Sequence, residues 1–264
     1  MRITPLTKTA LWAAAGFVLV FIYAPLFVVV ANSFSTSSTL AWPPPGFTTE
    51  WWVRALTNEA ALNAISTSVI VALASTFVAL LLGTALSFAL QRFEFFGKST
   101  VNLLVVLPIA LPGIVTGIAL NNAFKTIMGV QLGWATIIVA HATFCVVTVF
   151  NNVFARLRRV GTTLEEASSD LGAGAWTTFR LVTFPQIRSA LFAGGLLSFA
   201  LSFDEIIVTT FTAGSGVQTL PIFILDNMFR PNQAPIVAVI AVVMILIAIV
   251  PIYVAQRLTS SDSR

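Results

Sequence analysis

The sequence predicts an all-helical protein that spans a membrane six times. Three observations predict this fold class: the apolar composition, the length of the apolar runs, and the distribution of Lys and Arg between those runs. The chain has 264 residues, of which 57% are hydrophobic and 9% are charged, and its mean hydropathy is +0.94. Soluble domains carry about 25% charged residues. We therefore predict a single transmembrane domain over residues 1–264.

Six apolar runs are long enough to cross a membrane as helices, since about 30 Å of hydrocarbon needs about 20 helical residues. They lie at about residues 10–31, 62–90, 101–124, 134–153, 189–212 and 234–256. The first run is longer than the apolar part of a signal peptide, which has about 7–15 residues, and no small-residue cleavage site follows it. We therefore expect the first run to be retained as a span. The longest polar interval is residues 154–188, between the fourth and fifth runs.

Positive charges predict the orientation, because Lys and Arg accumulate in the cytoplasmic connections between spans. If both termini are cytoplasmic, 11 of the 14 Lys and Arg residues lie inside, and only Arg54, Lys125 and Arg230 lie outside. The inside residues are Arg2, Lys8, Arg92, Lys98, Arg156, Arg158, Arg159, Arg180, Arg188, Arg257 and Arg264. An N-in, C-in orientation is therefore predicted, with the polar interval in the cytoplasm. The same bias accounts for the net charge of +4, so no nucleic-acid partner is expected.

The polar interval contains the signals of two short helices. Thr163 and Glu166 have the spacing of a capping box, which starts a helix. Gly172 suits the left-handed position just after a helix C-terminus, which gives this first helix about two turns. A second helix through Trp176 is predicted to end before Pro185, because the residue preceding a proline avoids the helical region.

A helix of two turns is marginal by itself in water, so the first helix needs another surface. Its apolar residues Leu164, Ala167 and Leu171 share one side. One candidate surface is the membrane interface, which the aromatic residues Trp176 and Phe179 would suit. The other candidate is a protein partner, which we favour because the small residues around Ala167 permit close approach.

The spacing of residues in this interval resembles that of a known family. Glu166-Ala167-Ser168 is followed after three residues by Gly172, and after nine more by Val182-Thr183-Phe184-Pro185. This resembles the cytoplasmic loop of binding-protein-dependent ABC importer permeases, whose pattern is E-A-A, three residues, G, nine residues, I-x-L-P. Ser168, Val182 and Phe184 are conservative departures from that pattern. The resemblance implies the type I importer permease fold and an ATPase-coupling role for Thr163, Leu164, Glu166, Ala167, Ser168, Leu171, Gly172 and Pro185.

The resemblance also implies partners in the bacterial cytoplasmic membrane. These are two ATPase subunits, a second and non-identical permease subunit, an extracytoplasmic substrate-binding protein, and membrane lipid. ATP and Mg are expected on the ATPase, because this chain does not match the motif of a phosphate-binding loop. Phe96-Gly97-Lys98-Ser99 imitates the end of that motif, but Arg92 stands where it needs its first glycine. No cofactor, metal or catalytic residue is expected in this chain. It is therefore predicted to be a transport subunit rather than an enzyme.

Within this family, the chain is similar to the permeases for spermidine and putrescine. The matching segments are Ser202-Phe203-Asp204-Glu205-Ile206-Ile207-Val208, Thr219-Leu220-Pro221 and His141-Ala142-Thr143-Phe144. A carboxylate inside a membrane span costs about 2.5–3.5 kcal/mol and indicates a functional site. We therefore predict that Asp204 and Glu205, with Phe203, lie on the pathway of a polyamine.

Several alternatives remain open for these acids and for the solute. The helix can be broken at Asp204 with both acids solvated, or one acid can pair with Lys125 or Arg230. The solute can be another small organic compound, such as an aminophosphonate. A secondary transporter that needs no ATPase would have an inverted sequence repeat, and we see none in the sequence.

Two prolines four residues apart predict a bent third span. Pro108 and Pro112 each remove a backbone donor, while Gly113 and Gly117 allow close packing against another helix. Such a broken span can line the transport pathway or form its gate, or it can serve packing alone. His141 in the fourth span has no second His or acid at helical spacing, so we expect a hydrogen-bonded packing role for it.

Overall fold

The computed structural model describes residues 4–39, 41–230 and 232–261. In chain order its helices begin with α1 (Pro5–Ser33), α2 (Glu50–Leu56), α3 (Glu59–Arg92), α4 (Lys98–Ala110), α5 (Gly113–Asn122) and α6 (Trp134–Val160). They continue with α7 (Thr163–Asp170), α8 (Ala175–Thr178), α9 (Phe184–Phe203), α10 (Ile207–Thr212), α11 (Leu220–Asn227) and α12 (Ala234–Ser261). A π-helical turn at Ala123–Ile127 extends α5, and another at Phe179–Thr183 joins α8 to α9.

Five of the described helices are long and apolar enough to cross a membrane, and a sixth span results if the bent pair of α4 and α5 counts as one. The predicted first, second, fourth and sixth runs lie within α1, α3, α6 and α12. The prediction of an all-helical membrane protein is therefore confirmed. The orientation stays a prediction, and Arg2 and Arg264, which enter its charge count, lie outside the described residues.

The third predicted run is a broken helix. The helical segments Lys98–Ala110 and Gly113–Ile127 meet at an angle of 107°. Between them Leu111 is extended, with ψ of 141°, because it precedes Pro112. Pro108 lies inside α4 without ending it. The bend predicted from the two prolines is therefore present, and it is located at Leu111 and Pro112.

The fifth predicted span, residues 189–212, is wrong at its C-terminal end, since the helix that contains its start ends at Phe203. One continuous helical segment runs over Ala175–Phe203, and α10 follows as a separate helix after a break. The predicted helix end before Pro185 is also wrong. The π-helical turn Phe179–Thr183 directly precedes α9, and Pro185 occupies the first turn of α9. Proline is tolerated at that place because the wide turn relaxes the hydrogen-bond pattern that needs its missing N–H.

The described residues form two compact units. The smaller unit combines the chain up to Leu62 with Phe223–Leu246, and the larger unit combines Asn63–Ile222 with the described residues from Ile247 onward. In the smaller unit, the loop after α1 is fixed to α2, because Trp51 Nε1 donates to the Ser35 carbonyl oxygen at 2.8 Å.

The core of the larger unit lies where α6 packs against α3 and α9. A Cβ at Gly83 of α3 would lie 2.8 Å from the Val146 carbonyl oxygen of α6, so glycine is needed for this close crossing. In the next turn, the Ser87 hydroxyl donates to the Phe150 carbonyl oxygen at 3.2 Å. The buried apolar residues of this core are Ala79, Cys145, Val149, Val153, Leu157 and Ile187.

Candidate functional site

Helix α7 begins one residue earlier than the sequence predicts. Its N-cap is Thr162 and its first residue is Thr163, so the prediction that Thr163 caps the helix is wrong. The contact that forms joins two side chains: the Thr162 hydroxyl donates to Oε1 of Glu166 at 2.6 Å. A carboxylate in the first turn also suits the positive end of the helix dipole. Glu166 is thereby positioned at the exposed start of α7.

The end of α7 matches the prediction. Gly172 has a positive φ of 82°, a conformation that residues with a side chain avoid. Its N–H donates to the Ser169 carbonyl oxygen at 2.9 Å, and the next N–H donates to the Ser168 carbonyl oxygen at 3.1 Å. The helix therefore ends in the left-handed turn that glycine favours.

The inner side of α7 makes polar contacts within the larger unit. Arg92, the last residue of α3, forms an ion pair with Glu165 in which each guanidinium nitrogen of the fork meets one carboxylate oxygen. Thr183 in the π-helical turn donates to Oε1 of the same carboxylate at 2.5 Å. The hydroxyls of Ser168 and Thr178 lie 3.0 Å apart. These contacts hold α7 against α3 and against the helical segment Ala175–Phe203.

The outer side of α7 is exposed and carries three apolar residues. Leu164 and Leu171 are 57% and 89% exposed, and Ala167 between them is also exposed. We refer to these three residues as the α7 surface. Close by in the chain, Trp176 is 72% exposed, and Pro185 is exposed as well. Exposed apolar residues that cluster in this way indicate an interaction surface.

The chain leaves the helical conformation at Asp204, which is one of the alternatives that the sequence left open. Asp204 follows the last residue of α9 and is exposed. The neighbouring carboxylate has a different role, because Oε1 of Glu205 accepts from the Val208 N–H at 2.8 Å. A carboxylate at this place stabilises the start of α10. Of the two acids, Glu205 therefore caps a helix while Asp204 is accessible.

Phe203, predicted with them on a pathway, points elsewhere. Its side chain is buried and stacks on Phe199 with ring centroids 5.7 Å apart. In this structure Phe203 contributes to packing in the larger unit, behind the exposed turn.

His141 forms hydrogen bonds on both sides of the break between α9 and α10, to residues that are distant from it in sequence. It is buried in α6, with Nδ1 at 2.7 Å from the Ser202 hydroxyl and Nε2 at 2.8 Å from the Thr209 hydroxyl. Thr209 donates its own proton to the Glu205 carbonyl oxygen at 2.9 Å. Thr209 must then accept from Nε2–H, which leaves Nδ1 to accept from Ser202. We refer to His141, Ser202, Thr209 and Glu205 as the His141 cluster.

The start of the second half of the broken span packs along α10. A Cβ at Gly113 would lie 3.6 Å from Ile207 Cβ, and one at Gly117 would lie 2.7 Å from Phe211 Cδ2. One turn further along, the Asn121 amide donates to the Phe211 carbonyl oxygen at 2.5 Å. The predicted small-residue packing face of α5 is therefore used, and Asn121 extends it with a hydrogen bond.

This packing brings two separately predicted features together. Pro112 and Gly113 stand at the start of α5, while Asp204 and Glu205 stand directly before α10. The contact between α5 and α10 therefore places the bend of the third span beside the break after α9. Pro108 belongs to α4, on the other side of the bend. A movement of either helix would reach the other through Gly113 and Gly117.

Comparison with known proteins relates this arrangement to a transport family. Residues 79–261 match the family described as binding-protein-dependent transport system inner membrane component. The spermidine/putrescine transport system permease protein PotC of Escherichia coli (strain K12) is 31% identical over 245 residues, covering 92% of this chain and 91% of that protein. The putative 2-aminoethylphosphonate transport system permease protein PhnV of Salmonella typhimurium (strain LT2) is 29% identical over 256 residues, covering 93% and 94%.

Solved structures support the fold. A chain of a bacterial ABC transporter involved in the import of the acidic polysaccharide alginate superposes with a TM-score of 0.73 at 13% identity. The match covers 97% of this chain and 99% of that one. At this low identity the likeness concerns the fold alone.

Proposed function

Since the chain belongs to the family of binding-protein-dependent transport system inner membrane components, we propose that it is a permease subunit of an ATP-driven importer of polyamines. Family membership makes it a multi-pass protein of the bacterial inner membrane and a transport component rather than an enzyme. Spermidine and putrescine are the proposed substrates, because a relative of nearly the same length is a permease for them.

The α7 surface is the observation that carries the coupling role. A helix of two turns is held from one side by Glu165, and it exposes Leu164 and Leu171 on the other. Burying each of these leucines against a partner would contribute about 1.5–3 kcal/mol. An ATPase subunit is the proposed partner, and Glu166 and Gly172 define the two ends of the helix that it would contact.

The proposed orientation is N-in and C-in, and contacts between connections support it. The pair of Arg92 and Glu165 places the end of α3 on the same side as α7. Toward the other end of α3, the Ser68 hydroxyl accepts from the Leu220 N–H at 2.7 Å, which favours the opposite side for the segment after α10. This alternation agrees with the charge count, which assigns the α7 side to the cytoplasm.

The remaining partners are proposed from the same family relation. Two ATPase subunits would bind ATP and Mg, and a second, non-identical permease would complete the membrane part. An external binding protein would deliver the polyamine, and lipid would surround the spans.

We place the polyamine pathway at the exposed turn before α10. Asp204 would receive an ammonium group there, while Glu205 keeps its capping role. The continuous segment Ala175–Phe203 has 29 residues, or about 40 Å at about 1.5 Å per residue, and it connects the coupling side directly to this turn. A displacement of α7 by the ATPase would therefore move the Asp204 turn, and the adjoining bend at Pro112 and Gly113 would act as the gate of an alternating-access cycle.

Uptake of radiolabelled spermidine and putrescine into proteoliposomes that contain the complete complex tests this function. We expect uptake to require ATP and the binding protein. Asp204→Asn should lower the uptake rate about tenfold, equivalent to about 1.4 kcal/mol. Glu205→Gln is the matched control, because a glutamine carbonyl oxygen can still accept from the Val208 N–H. Uptake without ATP would contradict the importer, and unchanged uptake by Asp204→Asn would contradict the role of that carboxylate.

2-Aminoethylphosphonate is the second candidate substrate, because one of the relatives is a putative permease for it. It carries an ammonium group, as polyamines do, but also a phosphonate that the Asp204 carboxylate would repel. The same uptake assay, run with 2-aminoethylphosphonate and with the polyamines, distinguishes the two candidate substrates. ATP-driven uptake of 2-aminoethylphosphonate in place of polyamines would replace the substrate assignment and leave the importer class unchanged.

A further inference from the structure

Two adjacent acids in the first turn of α7 have different surroundings. Glu166 is exposed and accepts from Thr162, one turn earlier in the chain. The Glu165 side chain is only 21% exposed, and Arg92, its partner in the ion pair, is 18% exposed. Glu165 thus faces the interior of the chain, while the Glu of the family-like pattern, Glu166, faces outward.

The geometry of the inner pair fixes orientation as well as distance. Nη2 of Arg92 donates to Oε1 of Glu165, and Nη1 lies against Oε2. Two parallel contacts between a planar guanidinium and a planar carboxylate restrain rotation, which a single contact does not. Lysine cannot reproduce this fork, because its ammonium is a point charge on a flexible stem.

Glu165 lies where three helical segments meet. Arg92 is the last residue of α3, and Thr183, which donates to Glu165 at 2.5 Å, belongs to the segment Ala175–Phe203. Phe88, one turn before the end of α3, contacts Phe179 of the same segment edge to face, with centroids 6.1 Å apart. One carboxylate therefore joins α7 to two long helices that are also in contact with each other.

We infer that Arg92 and Glu165 are positioning residues that transmit the displacement of α7 to α3 and to the segment Ala175–Phe203. This inference rests on the proposed coupling function. In this arrangement the outer side of α7 binds the ATPase, and the inner pair carries the resulting movement into the spans. Without the pair, α7 still has its apolar surface and binds the ATPase, but its movement is not passed on.

The test measures ATP hydrolysis and radiolabelled spermidine uptake together, in proteoliposomes that contain the complete complex. We expect Arg92→Glu and Glu165→Arg each to lower the amount of spermidine taken up per ATP hydrolysed by about tenfold. The ATPase should still co-purify with both variants. The double variant, which restores opposite charges in reversed order, should recover most of the ratio of spermidine taken up to ATP hydrolysed. Arg92→Lys keeps the positive charge but not the fork, so its ratio should lie between those of the wild type and Arg92→Glu.

Arg159→Glu is the matched control. It makes the same change of charge in the polar interval, at an exposed residue near the end of α6, and should leave the ratio unchanged. An unchanged ratio in Arg92→Glu and Glu165→Arg would overturn the inference. If the single variants do not assemble, recovery of assembly and ratio by the double variant supports it, and no recovery overturns it. Absence of ATP-driven uptake by the wild-type complex would instead refute the proposed function itself.

Discussion

The α7 surface and the His141 cluster differ in where their side chains find partners. At α7, Glu165 is satisfied on the inner side while Leu171 on the outer side is 89% exposed. In the His141 cluster, His141 and Thr209 are buried, and both imidazole nitrogens have hydroxyl partners within the chain. The first region is therefore incomplete without another surface. The second is an internal joint, complete in one chain.

One helical segment connects the two regions. Ala175–Phe203 begins beside α7 and ends in the His141 cluster at Ser202. Its first end lies beside exposed apolar residues that a partner can bury, and its second end is held by buried hydrogen bonds. Changes in the cluster should therefore lower stability, whereas changes on the outer side of α7 should lower assembly with the ATPase.

The largest effect on stability is expected from Thr209→Ala. This change removes the partner of His141 Nε2 and leaves a buried polar atom unsatisfied, which costs about 1–3 kcal/mol. Thr210→Ala is the matched control, since Thr210 is the next residue of the same helix, is exposed, and has a comparable hydrogen bond of 2.7 Å to a carbonyl oxygen. It should change stability by less than about 0.5 kcal/mol.

Thermal unfolding of the purified permease in detergent measures the difference between these two variants. Co-purification of the ATPase should be the same in both. Equal melting temperatures, or a loss of ATPase in Thr209→Ala at a temperature where the permease is folded, would remove the distinction between the two regions.

A smaller effect, on assembly with the ATPase rather than on stability, is expected from Gly172→Ala. A side chain at a positive φ of 82° is strained, by about 1 kcal/mol, so the end of α7 should shift. We expect about fivefold weaker retention of the ATPase, which is the equivalent of about 1 kcal/mol, with little change in thermal stability. Gly174→Ala is the control, because Gly174 has a φ of −69° and open space around its Cβ position. Equal retention of the ATPase by both variants would contradict a role for the shape of α7.

The sequence predicts much of the fold because its signals are local. Four runs of apolar residues lie within long helices of the structure, Pro112 predicts the bend of the third span, and Gly172 predicts the end of α7. The errors also have local causes. At Pro185 the rule against proline in helices assumes α-helical hydrogen bonding, and a π-helical turn relaxes it.

The contacts that join segments were not predictable from one sequence. Arg92 and Glu165 are 73 positions apart, and His141 and Thr209 are 68 apart. Nothing in the periodicity of either segment indicates the other. A partial signal exists for Arg92, since a positive charge at the end of the second span and a Glu in the polar interval fall on the same predicted side of the membrane.

Cross-linking between the α7 surface and the ATPase tests the proposed coupling most directly. The chain has a single cysteine, Cys145, and it is buried, so Leu171→Cys introduces an accessible thiol. Phe229→Cys is the control, because Phe229 is 83% exposed and lies on the predicted outer side. We expect a thiol-to-amine cross-linker to join the permease to the ATPase subunit in Leu171→Cys and not in Phe229→Cys. A complex that hydrolyses ATP but gives no cross-link from Leu171→Cys, or gives one equally from both, would contradict the account.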